Sequence, residues 1–296
     1  MNISSEGKSA PKVVWTFDAR GKITSLIADP VFVCSGSGLG SLDVLDARNG
    51  GRIWSKDVAY TVWSLVAIDD FLVVFAFSSS QGGAVYTFDR KTGREEWIVS
   101  VEGVGSLAGG SGVVYVGTDG SIFAFDVANG TKIWTADIIG TAHTLVYHNG
   151  TLFANTCDVG RDAAGYVYAF DAATGKRKWN SDEHYWLGSM LICPPLVLVS
   201  CSDDVIALRA DRGQATWRFS AEWTIQGLTW FKDNIHVASS DKNIYALEMI
   251  TGEERWRFRC GGAPVALTVG LGLVLACSQD GSVYALDAVT GNRQYR

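Results

Sequence analysis

The chain has 296 residues, of which 25 are basic and 31 acidic, so its formal net charge is −6. An acidic balance excludes a general binder of phosphate backbones or of anionic membranes, because both tasks need a basic surface. Hydrophobic residues make up 47% of the chain and prolines number only five, which indicates a folded, strand-rich protein. We therefore expect neither a nucleic acid nor a membrane as a partner.

The N-terminal segment is polar and lacks the apolar stretch of a signal peptide. We predict a flexible tail at residues 1–11 and a cytoplasmic location. No stretch reaches the roughly 18 consecutive apolar residues of a membrane-spanning helix. The longest apolar segment, Val265–Cys277, predicts two strands joined at Gly270–Gly272.

The residues after this tail, 13–17, read Val-Val-Trp-Thr-Phe and predict one strand that has no neighbouring strand of its own repeat. Seven copies of an eleven-residue pattern follow, spaced roughly 40 residues apart. Each copy ends on an aromatic residue with a glycine four positions earlier, and four positions before that glycine stands an acidic residue or, once, Arg209. The aromatic residues are Trp54, Trp97, Trp134, Trp179, Trp217, Trp256 and Tyr295. The glycines are Gly50, Gly93, Gly130, Gly175, Gly213, Gly252 and Gly291.

One repeat, Val62–Val101, shows what the period encodes. It predicts strands at Val62–Ile68, Phe71–Phe77, Ala84–Asp89 and Arg94–Val101, joined by short polar turns. A single four-stranded sheet cannot bury both faces, whereas sheets arranged radially can. The sequence therefore predicts an all-β fold in which residues 12–296 form a single seven-bladed β-propeller of four-stranded antiparallel blades. The strand at 13–17 is predicted to complete the last blade.

The pattern Ala-x-Asp-x-x-Thr-Gly-x-x-x-Trp resembles the tryptophan-docking motif of pyrroloquinoline-quinone-type (PQQ-like) β-propellers. Residues 169–179 match every specified position, whereas Arg209 and Arg212 depart from the pattern in the fifth copy. This resemblance implies a propeller related in its repeat to BamB and to quinoprotein dehydrogenases. Quinoprotein dehydrogenases have eight blades, an adjacent cysteine pair and a calcium site. The six cysteines here include no adjacent pair, so we expect structural thiols, no cofactor, no metal and no quinone-dependent activity.

Ligands of propellers usually bind over the central channel, where the innermost strands begin. The residues aligned at that point are Thr24, Trp63, Gly105, His143, Gly188, Gln226 and Val265. Candidate ligand-binding residues at or just above these positions are Tyr60, Trp63, Tyr185, Trp186, Trp223 and Gln226. Aromatic walls with a few polar groups are typical of a pocket for a small organic molecule or a peptide. Aromatic residues also fill gaps between blades, so packing alone is an alternative explanation.

Three residues at the same face are able to transfer protons: His143, Glu102 and Lys22. Three hypotheses follow. The protein is a binding module for a small organic molecule or a peptide, a non-redox enzyme of the cyclase, lyase or isomerase type that uses these three residues, or a scaffold for protein assembly. The longest loop, Asn155–Gly165, is predicted to be a lid, a partner contact or a tolerated insertion.

Overall fold

A computed structural model describes residues 14–103, 105–157, 165–181 and 187–293. No described residue lies in a helix. The chain divides into two compact units, the first formed by the described part of Met1–Val104 with Val127–Gly130, the second by that of Gly105–Asp126 and Thr131–Arg296. The predicted tail at 1–11 lies outside the described residues, and the single domain over 12–296 stays a prediction.

The first unit contains two four-stranded antiparallel sheets, ordered β1-β2-β3-β4 and β5-β6-β7-β8. The strands are β1 (Ile23–Ala28), β2 (Phe32–Ser37), β3 (Ser41–Asp46), β4 (Arg52–Asp57), β5 (Thr61–Ile68), β6 (Phe71–Ser78), β7 (Gly82–Asp89) and β8 (Glu95–Val101). The strands of the second sheet begin and end within two residues of those predicted for the repeat Val62–Val101. One apolar core lies between the two sheets and includes the fully buried Leu42, Val62 and Leu72. Burial of each such side chain stabilises the fold by about 1.5–3 kcal/mol.

The second unit contains a seven-stranded sheet ordered β15-β14-β13-β12-β11-β10-β9, two four-stranded sheets and a three-stranded sheet. The strands of the seven-stranded sheet are β9 (Ser106–Gly110), β10 (Val113–Gly117), β11 (Asp119–Asp126), β12 (Lys132–His148), β13 (Thr151–Cys157), β14 (Val167–Asp171) and β15 (Arg177–Asn180). The others are β16 (Leu187–Cys193), β17 (Leu196–Cys201), β18 (Asp204–Arg209), β19 (Ala215–Ser220), β20 (Ile225–Phe231), β21 (Asn234–Ser239), β22 (Asn243–Glu248), β23 (Glu254–Arg259), β24 (Pro264–Gly270), β25 (Leu273–Ser278) and β26 (Val283–Asp287).

Two predictions about the repeats need refinement. The third and fourth repeats share one continuous strand, because β12 pairs with β11 through its first half and with β13 through its second. The last sheet, β24–β26, has three strands among the described residues. Residues 14–17 are not assigned to a strand, so the predicted completion of the last blade by residues 13–17 stays a prediction.

A recurring indole contact follows from the repeat. In each contact the indole Nε1 of a tryptophan donates to a backbone carbonyl of a hairpin turn, and its ring lies against the glycine of that turn. The donor and acceptor residues are Trp15 and Ala47, Trp54 and Arg90, Trp97 and Val127, Trp134 and Ala172, Trp179 and Ala210, Trp217 and Met249, and Trp256 and Val289. The Nε1–O distances are 2.8–3.0 Å.

Trp15 is the member of this set that the sequence analysis missed. Its indole lies against Gly50, where an added Cβ would come within 2.6 Å of the ring. The repeat pattern pointed instead to Tyr295 as the seventh aromatic residue, and Tyr295 lies outside the described residues. Trp15 therefore gives the first turn the same indole hydrogen bond and ring contact that the motif tryptophans give the other turns.

The turn acids hold the hairpins by accepting backbone hydrogen bonds. Asp89 Oδ1 accepts bonds from the backbone N–H groups of Lys91 and Thr92 at 3.1 and 2.8 Å. The departure at Arg209 leaves the turn intact, because Gly213 N donates to the carbonyl of Arg209 at 2.8 Å, as Gly175 N does to Asp171. An exposed ion pair between Arg209 and Asp211 takes the place of the acid. The backbone hydrogen bond of this turn is thus the same as in the repeat that matches the pattern in full.

His236 makes the core of the second unit sensitive to acid. It is fully buried, its Nε2 donates to the carbonyl of Ala288 at 2.8 Å, and burial lowers the pKa of its imidazole below 6.5. His236 therefore binds a proton more readily in the unfolded chain than in the folded chain. The stability that neutral His236 contributes is lost as pH falls below about 6.5.

We expect the free energy of unfolding to fall between pH 7.5 and 5, with His236 contributing up to about 1.4 kcal/mol per pH unit. His236→Phe should flatten this dependence, because it removes the imidazole. The fold should tolerate the change, because the equivalent residue of the fourth repeat is Phe153 and Asn234 Nδ2 also donates to Ala288. Urea unfolding at several pH values measures the effect. An equally steep pH dependence in His236→Phe would show that other groups cause it.

Candidate functional site

The first strands of the repeats share an irregularity at the positions predicted for the site. The pairing register with the second strand shifts at Thr24, Trp63, His143, Gln226 and Val265. A bulge bends the strand and redirects a side chain out of the regular ladder. All five residues are exposed, although the residues that directly precede four of them, Val62, Ala142, Ile225 and Pro264, are buried. The alignment of the repeats therefore selected a structurally distinct position.

Two aligned positions carry no side chain. A Cβ on Gly105 would lie 1.7 Å from the carbonyl oxygen of Gly117, so the close approach of two backbones demands glycine there. At Gly188 an added Cβ would meet Ser200 Oγ at 2.7 Å. These repeats contribute backbone and not side chains at this position.

The first unit contains an open pocket built around two of the predicted residues, which we name the aromatic pocket. Its volume is about 490 Å³, and its walls include Gly38, Leu39, Tyr60, Thr61, Trp63 and Phe77. The loop between β2 and β3 supplies Leu39, the connection from β4 to β5 supplies Tyr60, and the bulge of β5 supplies Trp63. The volume falls in the range of sites for small molecules or peptide side chains.

The walls of the aromatic pocket are held in place from behind. Trp63 packs against Phe77 edge to face, with ring centroids 6.4 Å apart. Thr61 Oγ1 donates to the carbonyl of Gly38 at 2.9 Å, which joins the two sides of the pocket. Despite this support, Trp63 remains 50% exposed and Leu39 78% exposed. Large apolar side chains on an otherwise folded rim leave a surface that a ligand is able to cover.

Tyr60 closes one end of the aromatic pocket with a hydrogen bond. Its hydroxyl donates to Gln81 Oε1 at 3.0 Å, so the connection before β5 is tied to the turn between β6 and β7. The same turn adds Ser78 and Ser79 to the lining. The pocket thus combines apolar walls with hydroxyl groups at its edge.

Lys22 and Glu102, predicted as proton-transfer residues, belong to the first unit but are not among the residues that line the aromatic pocket. Both are exposed. The backbone carbonyl of Lys22 accepts a hydrogen bond from Gly38 N at 2.9 Å, which is a structural role in the β2–β3 loop.

His143, Trp223 and Gln226 belong to the second unit. His143 is exposed on β12, and Trp223 is 65% exposed. Gln226 Nε2 donates to Ser240 Oγ at 2.8 Å, and the carbonyl of Trp223 accepts from Ser239 Oγ at 2.8 Å. Trp223 and Gln226 therefore flank the same turn between β21 and β22.

Tyr185 and Trp186 lie outside the described residues, as does most of the Asn155–Gly165 loop. Their predicted roles stay predictions. Among the described residues, no group of three or more His, Cys, Asp or Glu side chains is arranged to hold a metal ion. The described part of the chain contains no helix that is long and apolar enough to cross a membrane.

Sequence reasoning missed Leu39 and Phe77. Leu39 lies in the glycine-rich run from Gly36 to Gly40, where a single leucine among glycines and serines is an available signal for an exposed apolar contact. Phe77 ends the strand predicted at Phe71–Phe77, and its place in that apolar run does not distinguish it as a site residue. In the structure it supports Trp63 from behind.

The architecture defines a β-propeller, and comparisons with known proteins agree. The family described as outer membrane protein assembly factor BamB matches residues 18–99, 81–191 and 202–296, so the chain belongs to this family of PQQ-like repeat proteins. No curated protein matches the chain. The count of seven blades is consistent with these findings and stays a prediction.

Solved structures show the same fold at low sequence identity. BamB from Moraxella catarrhalis is 23% identical with a TM-score of 0.72, covering 92% of this chain and 87% of its own. Sqt1 from Saccharomyces cerevisiae is 14% identical with a TM-score of 0.76, and the match covers 93% of this chain and 85% of Sqt1. The quinohemoprotein alcohol dehydrogenase ADHIIG from Pseudomonas putida HK5 is 16% identical with a TM-score of 0.68, and the match covers 86% of this chain and 62% of the dehydrogenase.

Proposed function

We propose that the protein is a non-catalytic binding module that holds an apolar side chain of a protein partner in the aromatic pocket. One observation carries the proposal: a pocket of about 490 Å³ lies between a half-exposed tryptophan and a largely exposed leucine. Tryptophan is enriched among the few residues that dominate binding energy at protein interfaces. The family supports a protein partner, because its name describes a factor in protein assembly.

The arrangement of the aromatic pocket suits a peptide segment. Leu39 and Trp63 offer apolar walls for one inserted side chain, and Ser78 and Ser79 offer hydroxyl groups for the peptide backbone around it. The walls are fixed by the Trp63–Phe77 contact and the Thr61–Gly38 hydrogen bond. A preformed site loses less conformational entropy on binding than a mobile one.

Replacement of the exposed indole tests the proposal. We expect Trp63→Ala to weaken partner binding at least about tenfold, because truncation of a central aromatic residue typically costs 2 kcal/mol or more. Quantitative affinity capture from cells identifies the proteins that the variant loses, and titration of each purified candidate gives its dissociation constant. Trp63 is half exposed, so the variant should remain folded.

Three matched controls separate this site from the alternatives. Trp230→Ala removes another exposed indole, from β20 of the second unit, and should leave binding unchanged. His143→Ala and Glu102→Ala each remove one of the three predicted proton-transfer residues, neither of which lines the aromatic pocket, and should also leave binding unchanged. A capture profile that Trp63→Ala leaves intact would reject the aromatic pocket as the binding site.

A further inference from the structure

The first unit contains a second, smaller cavity that is separate from the aromatic pocket. Its volume is about 140 Å³, and its lining includes Ile27, Phe32, Cys34 and Leu65, with Asp29 and Arg90 also contributing. The two cavities have no lining residue in common. This cavity, which we name the Arg90 cavity, has the size of apolar protein cavities that bind a benzene ring, about 150 Å³.

The internal repeats show why space is left at Cys34. In every repeat, the residue two positions before the turn acid, or before Arg209, pairs with one residue of the second strand. Those partners are Cys34, Val73, Tyr115, Phe153, Leu198, His236 and Leu275. Cys34 has the smallest side chain of the seven. Burial raises the pKa of its thiol to about 12, so it lines the cavity as a neutral, unreactive group.

The same comparison makes Arg90 unusual. The equivalent residues, which directly follow the turn acid or Arg209, are Ala47, Val127, Ala172, Ala210, Met249 and Ala288. Only the second repeat places a cation at this position, and the cation lies at the same cavity as Cys34, the smallest of the seven side chains. The cavity thus combines a residue smaller than all its equivalents with a charged residue where the other repeats are apolar, which argues for a site and against a packing defect.

Arg90 is held in place at both its backbone and its guanidinium. Its N–H donates to the carbonyl of Asp70 at 2.8 Å, and its carbonyl accepts from Trp54 Nε1 at 2.8 Å. Nη1 donates to Asp29 Oδ2 at 2.5 Å, and the guanidinium carbon lies 4.6 Å from the centre of the Phe32 ring. The group is therefore preorganised and does not need to be ordered by a ligand.

Asp29 is fixed as firmly as its partner. Its Oδ1 accepts hydrogen bonds from the N–H groups of Phe32 and Val31 at 2.8 and 2.7 Å, and these bonds hold the pKa of the carboxyl below its usual value. The ion pair is thus present at neutral pH, and its two charges cancel. A ligand with a charge of its own would gain no net attraction from this neutral pair and would lose its hydration in the cavity.

The guanidinium retains one unmet hydrogen bond. Nε of Arg90 is buried and has no acceptor among the described residues. A buried donor without an acceptor is unfavourable, and it leaves the guanidinium with hydrogen-bonding capacity that Asp29 does not use. The remaining walls offer only apolar contact.

We propose that the Arg90 cavity binds a small neutral molecule with a ring-sized apolar body and a hydrogen-bond acceptor such as a carbonyl group. The apolar body fills the space beside Cys34 and Leu65, and the carbonyl faces the guanidinium of Arg90. The site is independent of the aromatic pocket and of the protein partner proposed for it.

Titration of the full-length protein with three probes of similar size tests this proposal. Acetophenone carries a neutral carbonyl, benzoate a negative charge and benzylamine a positive charge. With methyl-labelled protein, we expect acetophenone to cause saturable NMR shifts of the Ile27 and Leu65 methyl groups. Benzoate and benzylamine should bind at least about tenfold more weakly, because each loses the hydration of its charge and gains no net attraction from the neutral ion pair.

Variants assign the effect to the cavity. Cys34→Leu fills the space from inside and should abolish the shifts, and Ala67→Phe, at an exposed lining residue, should do so from outside without disturbing the core. Arg90→Met should weaken acetophenone binding at least about fivefold while keeping an apolar stem. Trp63→Ala should change nothing here. The absence of saturable shifts with acetophenone, equal binding of all three probes, or full binding by folded Ala67→Phe would overturn the proposal.

Discussion

Gly175→Ala should destabilise the protein by about 2–5 kcal/mol. Gly175 has a φ of +71°, a conformation that costs a residue with a Cβ about 1–2 kcal/mol. The new Cβ would also lie 2.6 Å from Cδ2 of Trp134, whose ring is 9% exposed and has little room to move. Overpacking of this kind typically adds about 1–3 kcal/mol. Chemical denaturation of the variant measures the sum.

Gly150→Ala is the matched control for Gly175→Ala. Gly150 has nearly the same φ, +72°, but an added Cβ meets nothing within 4 Å among the described residues. Its cost should therefore be the backbone strain alone, about 1–2 kcal/mol. Equal losses in the two variants would show that the indole does not constrain the glycine, contrary to the contact described above.

Trp134→Ala should cost about 3–5 kcal/mol, the range for truncation of a large buried aromatic residue. Trp134 packs in the core of the second unit with Tyr115, at a ring-centroid distance of 5.8 Å. Its Nε1 donates to the carbonyl of Ala172 at 3.0 Å. Truncation removes both the packing and the hydrogen bond, and the fall in the free energy of unfolding reports both.

Trp134→Phe separates the two contributions. A phenyl ring retains part of the packing, and the carbonyl of Ala172 keeps a second donor, the hydroxyl of Tyr115 at 3.2 Å. We expect a smaller loss than for Trp134→Ala: about 0.5–1.5 kcal/mol for the hydrogen bond, plus the packing that the smaller ring does not restore. A loss as large as that of Trp134→Ala would mean that the hydrogen bond, and not the packing, provides the stability of this contact.

The strands were predictable from the sequence because each repeat carries local signals for its own strands and turns. Apolar runs such as Phe71–Phe77, bounded by turn residues, have little alternative to a buried strand. The repeat spacing identified the family resemblance for the same reason. The role of Trp15 was not predicted because this residue lies outside the eleven-residue pattern and lacks the preceding glycine and acid of the other tryptophans. Its contact with Gly50 depends on tertiary structure alone.

The candidate site was predictable only in part. Alignment of the repeats located Trp63, because its bulge recurs at the same point of other first strands. The contribution of Leu39 depends on how the β2–β3 loop packs beside the next sheet, and no local pattern encodes that packing. The Arg90 cavity likewise emerges only when Cys34 and Arg90, far apart in sequence, are brought together.

Site-specific photo-crosslinking in cells tests most directly whether the aromatic pocket binds a protein partner. A photoreactive amino acid replaces Leu39, which is 78% exposed on the wall of the aromatic pocket, or Leu271, which is fully exposed on a turn of the second unit. The account predicts a discrete crosslinked partner at position 39, absent at position 271 and lost when Trp63→Ala is added. No crosslinked protein at position 39, or the same products at both positions, would contradict it.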